Sequence, residues 1–239
     1  EVINVRENVG LIEVANFSKH EFKGPDTRKF LDHIMAGRLP KPGRISLSPM
    51  LSYRGKLCGD LTVACLDENE FMVFGSGAAQ EMHRRWFESH LGKFNLNYKN
   101  SSDEYHGLSI AGPNSRKVLE KIVRDDVSNE KFKFRDSRRM FVGGVPAIIN
   151  RISFTGELGY EIYVAPHYQL KLYEELMEAG KEFDIKPFGG RALMSMRLEK
   201  NWGAWTLDYR PDFTAKETGL DMFINLSLIH ISEPTRRYE

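Results

Sequence analysis

Two apolar runs separated by a short polar turn constrain this chain more than any other feature. Leu61-Thr62-Val63-Ala64-Cys65-Leu66 and Phe71-Met72-Val73-Phe74 are rich in β-branched and aromatic residues. Asp67-Glu68-Asn69 between them is turn chemistry, so the pattern from Met50 to Phe74 is β, and the two runs form a hairpin. The segments around the hairpin alternate between strand and helix without a fixed rhythm. Val9–Val14 reads as a strand, and Glu1-Val2-Ile3-Asn4 already lies close to one. After Gly24-Pro25-Asp26, the residues Phe30, Leu31, Ile34 and Met35 mark one helix face, with Asp26 in its first turn and Gly37 at its end. Ala78, Met82 and Trp86 recur at i, i+4 and i+8, which predicts a helix over 78–91. Gly107–Ile110 is a strand leading through Gly112-Pro113 into a helix carrying Val118, Leu119, Ile122 and Val123. Strands at 145–152 and 160–164 flank the turn Thr155-Gly156-Glu157-Leu158-Gly159. Leu170, Tyr173, Leu176 and Met177 define another helix face, and 190–200 is helical. This irregular alternation predicts an α+β fold rather than a doubly wound parallel sheet.

Composition narrows the function. Lys and Arg number 34 against 33 Asp and Glu, a net charge of +1 that gives no reason to expect nucleic acid or an anionic membrane as partner. No apolar run approaches the ~20 residues a membrane span needs. Cys58 and Cys65 supply neither a disulfide framework nor a zinc pattern and fit a reducing compartment, cytoplasm or the mitochondrial matrix of a eukaryote. The chain does not begin with Met and has the look of a piece of something longer. Gly75-Ser76-Gly77 lacks the third glycine of a dinucleotide fingerprint, there is no phosphate-binding Gly-Lys-Ser/Thr loop, and no serine sits in a Gly-x-Ser-x-Gly elbow. The seven histidines show no metal-ligand spacing, so no bound metal is expected.

Two carboxylates remain in apolar company. Asp60 stands at the entrance of the strand Leu61–Leu66, and Glu161 lies inside Tyr160-Glu161-Ile162-Tyr163-Val164, where alternation sets it on the face of Tyr163. A carboxylate in such a strand is costly without a partner. Either one can cap backbone, pair with an arginine, or wait for a ligand.

Arg151-Ile152-Ser153-Phe154-Thr155-Gly156-Glu157-Leu158-Gly159-Tyr160-Glu161-Ile162-Tyr163 resembles the signature of the aminomethyltransferase (glycine-cleavage T-protein) family. It is most similar to the tetrahydrofolate-binding region of dimethylglycine and sarcosine dehydrogenases. Met50-Leu51, Gly59-Asp60-Leu61-Thr62-Val63, Ile110-Ala111-Gly112-Pro113, Met196-Arg197-Leu198-Glu199-Lys200 and Lys216-Glu217-Thr218-Gly219-Leu220 follow in family order. The resemblance implies a cloverleaf of α+β lobes around tetrahydrofolate, with Glu161 anchoring the pterin edge and Asp60 as the catalytic carboxylate near the folate N5–N10 end. It also implies ligand contacts from Phe154 (where a Tyr is common), Tyr163, Ser76 (where T-proteins often carry Asn) and Arg191. Arg191 also fits a plain helix-surface arginine.

The implied activity is folate-dependent one-carbon transfer, an aminomethyl or methylene unit taken from a demethylated or decarboxylated amine. A free-standing T-protein working with a lipoyl carrier, a sulfonium demethylase, or a non-catalytic folate-binding regulatory module are the alternatives. Flavin (FAD) would belong only to a dehydrogenase half outside this chain. The family pattern covers 1–226, and residues 227–239 resemble a translated sequencing adapter. On that expectation the C-terminal β-barrel lobe of the family is missing.

Overall fold

The computed structural model describes residues 1–225. The chain opens with α1 (Val2–Glu7), then β1 (Gly10–Glu13), β2 (Phe17–Lys23), α2 (Thr27–Ile34), β3 (Arg44–Leu51), β4 (Leu57–Asp67) and β5 (Glu70–Ser76). There follow α3 (Gln80–Leu91), β6 (Asn97–Asn100), β7 (His106–Ala111), α4 (Ser115–Ile122), β8 (Ser137–Val142), β9 (Val145–Asn150) and β10 (Gly159–Val164). The last elements are α5 (Gln169–Gly180), the short β11 (Lys186–Pro187) and α6 (Gly190–Glu199). The expected α+β class holds. The expectation for residues 227–239 lies outside the described residues.

Two compact units result. The first comprises residues 1–16 and 102–202, and the second begins at Phe17, runs to Ser101 and resumes at Gly203. In the first unit a six-stranded sheet has the order β11-β1-β7-β10-β9-β8. Alternation splits each strand between two faces. Tyr160 and Ile162 pack with Val118 and Leu119 of α4 and Leu172 and Leu176 of α5. On the other side Val5 of α1 joins Ala192 and Met196 of α6 against Ala111 and Phe188. In the second unit the order is β3-β4-β5-β2-β6, all neighbours antiparallel. Leu61, Val63 and Cys65 of β4 pack under Phe30, Leu31 and Ile34 of α2 and Phe87 of α3. The hairpin turn forms as expected, with Asp67 paired to Glu70 across Glu68-Asn69.

Several local expectations are corrected. Residues 2–7 form a helix rather than an approach to a strand, because Val2 and Val5 have the sheet face around Ala111 to cover. Helix α2 ends at Ile34 with Met35 already extended, so Gly37 is no helix cap. Gly37 instead lets the chain close on Ser48, whose Oγ accepts from the Gly37 N–H at 2.9 Å. Helix α3 exists, but its buried stripe is Ala79, His83 and Phe87, one residue on from the expected one, and Met82 is exposed. In α5 the buried set is Leu172, Leu176, Ala179 and Gly180, with the expected Tyr173 and Met177 packed half-buried against the same core and Leu170 in solvent. Asp60 is not at a strand entrance, since β4 already begins at Leu57.

Candidate folate and one-carbon site

In the first unit the site grows from the turn before β10. Gly156 takes φ +88°, a left-handed conformation that suits glycine, and a Cβ on Gly159 would meet Ser153 Cβ at 2.6 Å and the Ile110 carbonyl at 3.0 Å. The turn is laced by its own hydroxyls, with Ser153 Oγ and Thr155 Oγ1 2.7 Å apart and the Glu157 N–H donating to Thr155 Oγ1 at 3.2 Å. Arg6 clamps it from outside, donating to the Thr155 carbonyl at 2.9 Å, to Glu157 at 2.7 Å and to Glu199 at 2.6 Å. Lys200 Nζ donates to the Ser153 carbonyl at 2.9 Å. Phe154 sits half-buried in this pinned turn.

Beyond the turn, β10 carries Glu161 into the sheet, only 7% exposed. Tyr163, on the same face and fully buried, donates its hydroxyl to Glu161 Oε2 at 2.8 Å. The cross-strand neighbours of Glu161 are Ser109 on β7 and Asn150 on β9. Asn150 in turn accepts from Ser137 Oγ at 2.7 Å, giving a polar row through an apolar sheet. Burial pushes the Glu161 carboxyl up to about 7, against the opposing pull of the Tyr163 hydroxyl and the Lys200 charge. Burial likewise holds the Tyr163 phenol well above its ordinary range, reinforced by Glu161. An ionised carboxylate offers about four acceptor sites, and among the described residues Tyr163 fills one by a side-chain hydrogen bond. The remaining capacity suits adjacent N–H donors on a flat ring edge.

The second unit carries Asp60 and Ser76. Asp60 lies on β4 opposite Pro49, partly buried. Burial raises its carboxyl to about 7, and its own backbone N–H opposes the shift. Ser76 closes β5 immediately before the turn into α3, half-buried. Cys58 and Cys65 are free thiols pushed up to about 11 by burial, which leaves them protonated bystanders.

The structure therefore brings Glu161 and Tyr163 into direct contact and sets Phe154 in the turn that feeds them. Arg191 stands exposed in the first turn of α6, making no hydrogen bond to Glu161 or Tyr163 among the described residues. Sequence reasoning missed Arg6, Ser109 and Asn150. The apolar run Val145–Ile149 that ends in Asn150 was visible, but only strand register sets Asn150 beside Glu161. No group of three or more His, Cys, Asp or Glu among the described residues is placed to hold a metal ion. No helix among them is long and apolar enough to cross a membrane.

An α+β sheet unit with a buried acceptor carboxylate behind a Thr-Gly-Glu-Leu-Gly turn defines a class, and the comparisons with known proteins fall on it. The GCVT N-terminal domain model matches residues 1–227, and the chain belongs to that family. Mitochondrial dimethylglycine dehydrogenase of Rattus norvegicus is 38% identical over 230 residues, 95% of this chain and 27% of that protein. An aminomethyltransferase of Thermoanaerobacter pseudethanolicus is 28% identical over 223 residues, 92% of this chain and 60% of the relative. The crystal structure of the glycine cleavage system aminomethyltransferase T from Bartonella henselae superposes with a TM-score of 0.87 at 20% identity, over 99% of this chain and 65% of that one. The chain thus has the T-protein fold and spans about a quarter of the length of the mammalian dehydrogenase.

Proposed function

We propose that this chain is a tetrahydrofolate-binding one-carbon transfer domain of the dimethylglycine dehydrogenase type. The observation that carries this reading is Glu161. It is a carboxylate buried on a central strand, oriented by Tyr163 and left with acceptor capacity that a pterin edge with adjacent N–H donors would use. The identity to dimethylglycine dehydrogenase, ten points above that to the bacterial aminomethyltransferase (38% against 28%), favours this branch over a free-standing T-protein.

The chain's own residues divide the work. Tyr163 holds Glu161 in one orientation, so the carboxylate meets its ligand without reorganising. Phe154 offers a flat apolar wall from a turn that Arg6 and Lys200 keep in place. Ser76 and Arg191 are the further folate contacts, Arg191 by charge to an anionic glutamyl tail. Tetrahydrofolate, when bound, supplies the amine that takes up the one-carbon unit. Asp60 is the catalytic carboxylate, whose negative charge stabilises the positive charge that develops as the carbon leaves its donor. The donor is an amine-derived one-carbon unit, delivered by a flavoprotein half or a carrier.

Thermal denaturation with and without tetrahydrofolate tests the reading. Tetrahydrofolate should raise the melting temperature, NAD and ATP should not, and Glu161→Gln should abolish most of the rise, because its amide turns an N–H towards a donor. Equal protection of both proteins removes Glu161 from the site, and no protection of either overturns the folate reading.

A further inference from the structure

The pairing of β4 with its two neighbours is uneven beside Asp60. Against β3 the register runs without a break from Arg44↔Cys65 to Met50↔Gly59 and then slips to Leu51↔Leu57. Cys58 is therefore the extra residue of a β-bulge, two positions before Asp60. Against β5, the pairs run only from Asp67↔Glu70 to Thr62↔Phe74, although β5 continues through Gly75 and Ser76 against β2. So β4 loses one ladder in register and the other altogether just where Asp60 projects.

The bulge has a visible effect on side-chain direction. Leu57 and Leu61 are four residues apart and would share a face in an unbroken strand. Instead Leu61 packs under α2 and α3, while Leu57 packs with Tyr209, Ala215 and Leu220. Bulges re-aim a strand in this way and are common beside active sites.

His83 of α3 packs against this stretch. It is completely buried, and its Nε2 lies 3.0 Å from the carbonyl of Cys58, the bulge residue. Its ring lies on the sheet face, over β4 and β5 just beyond their last pair, Thr62↔Phe74. A Cβ on Gly59 would meet Nε2 at 2.9 Å, and one on Gly75 would meet Leu61 Cδ2 at 2.7 Å and Nδ1 at 3.0 Å, so both glycines lie against the imidazole. The His20 ring stands 6.3 Å away, edge-on, and Trp205 stands 6.1 Å away. With a carbonyl as partner, Nε2 must carry the proton, and Nδ1 is buried with no hydrogen-bond partner. Burial pushes His83 down to about 4 and His20 to about 3, so the ring keeps a single tautomer at neutral pH.

We infer that His83 is a positioning residue for Asp60: its imidazole covers β4 and β5 where their pairing ends and holds the Cys58 bulge, fixing the direction in which the next carboxylate points. The inference rests on the proposed role of Asp60, but it acts on the strand whether or not folate binds.

NMR tests it without folate. With 15N-histidine label, His83 should show a protonated Nε2 and a bare Nδ1, unchanged between pH 5 and 8; a bare Nε2 overturns the inference even if no variant folds. With 13C-labelled carboxyls, His83→Leu, which lacks the donor, should lower the Asp60 midpoint from about 7 by roughly one unit or more as water reaches the loosened strand. His83→Gln, which keeps an N–H, should hold it near the wild-type value, and Glu161 in the other unit should not move in either variant. An Asp60 midpoint unmoved in a folded His83→Leu protein refutes the inference. Loss of tetrahydrofolate protection with these titrations intact would refute the folate reading alone.

Discussion

A carboxylate held ready for a ligand destabilises the empty protein, and at Glu161 the size of that effect follows from its environment. The folded carboxyl titrates near 7 against 4.5 for the free group. A raised folded pKa means that Glu161 favours the fold fully below about pH 4.5, and that this contribution is lost as pH rises towards 7. The difference of about 2.5 units corresponds to about 3 kcal/mol. Glu161→Gln keeps the shape and an oxygen to accept from the Tyr163 hydroxyl but never ionises. The variant and wild type should therefore be equally stable at pH 4, and the variant should gain steadily through the window, reaching about 3 kcal/mol at pH 8. Urea unfolding at half-unit steps from pH 4 to 8 measures this directly, and taking the difference between the two proteins cancels every other titrating group. Two stability curves that stay parallel across the window would refute the buried-charge argument and with it the destabilisation attributed to Glu161.

Tyr163→Phe should raise the Glu161 midpoint further, by roughly one unit, because a hydrogen bond to a charged group is worth about 1.5–3 kcal/mol; 13C titration of the carboxyl reads it. Phe22→Ala should cost about 3–5 kcal/mol in chemical unfolding, since that ring is fully buried against Phe30, Phe87 and Tyr98 at 5.6, 5.1 and 5.0 Å. Asp60→Asn should leave tetrahydrofolate affinity nearly unchanged while lowering one-carbon transfer by the full enzyme about a hundredfold, measured as product formed per turnover; undiminished turnover would return Asp60 to a purely structural role.

The elements that periodicity reports well were legible, and those that break its assumptions were not. Leu61–Leu66 and Phe71–Phe74 announce a hairpin because both faces of β4 and β5 are apolar. Strand β2 went unseen because Phe17-Ser18-Lys19-His20-Glu21-Phe22-Lys23 looks like surface, yet Lys19 and His20 are fully buried. Their polar ends are met locally in part: Lys19 Nζ donates to the Phe17 carbonyl at 2.8 Å and His20 Nδ1 lies 2.9 Å from the Tyr98 hydroxyl, while His20 Nε2 is buried with no hydrogen-bond partner among the described residues. A polar side chain satisfied within its own sheet carries no signal that a hydropathy pattern can read.

The site divides along the same line. Glu161 was conspicuous because it breaks the rule of the strand that holds it, and such breaches concentrate where a protein binds or reacts. His83 breaks a rule too, but it stands in Gln80-Glu81-Met82-His83-Arg84-Arg85-Trp86, among residues that make a solvated helix face of it. The apolar stripe read from Ala78, Met82 and Trp86 was one residue out for this reason: the true stripe runs through a histidine. What a histidine does in a core depends on which carbonyl it meets, and here that carbonyl belongs to a bulge created by pairing between β3 and β4. A site residue that contacts a ligand can be marked by its own chemistry. One that sets the strand beneath it is marked only by register, and register exists only once the sheet has formed.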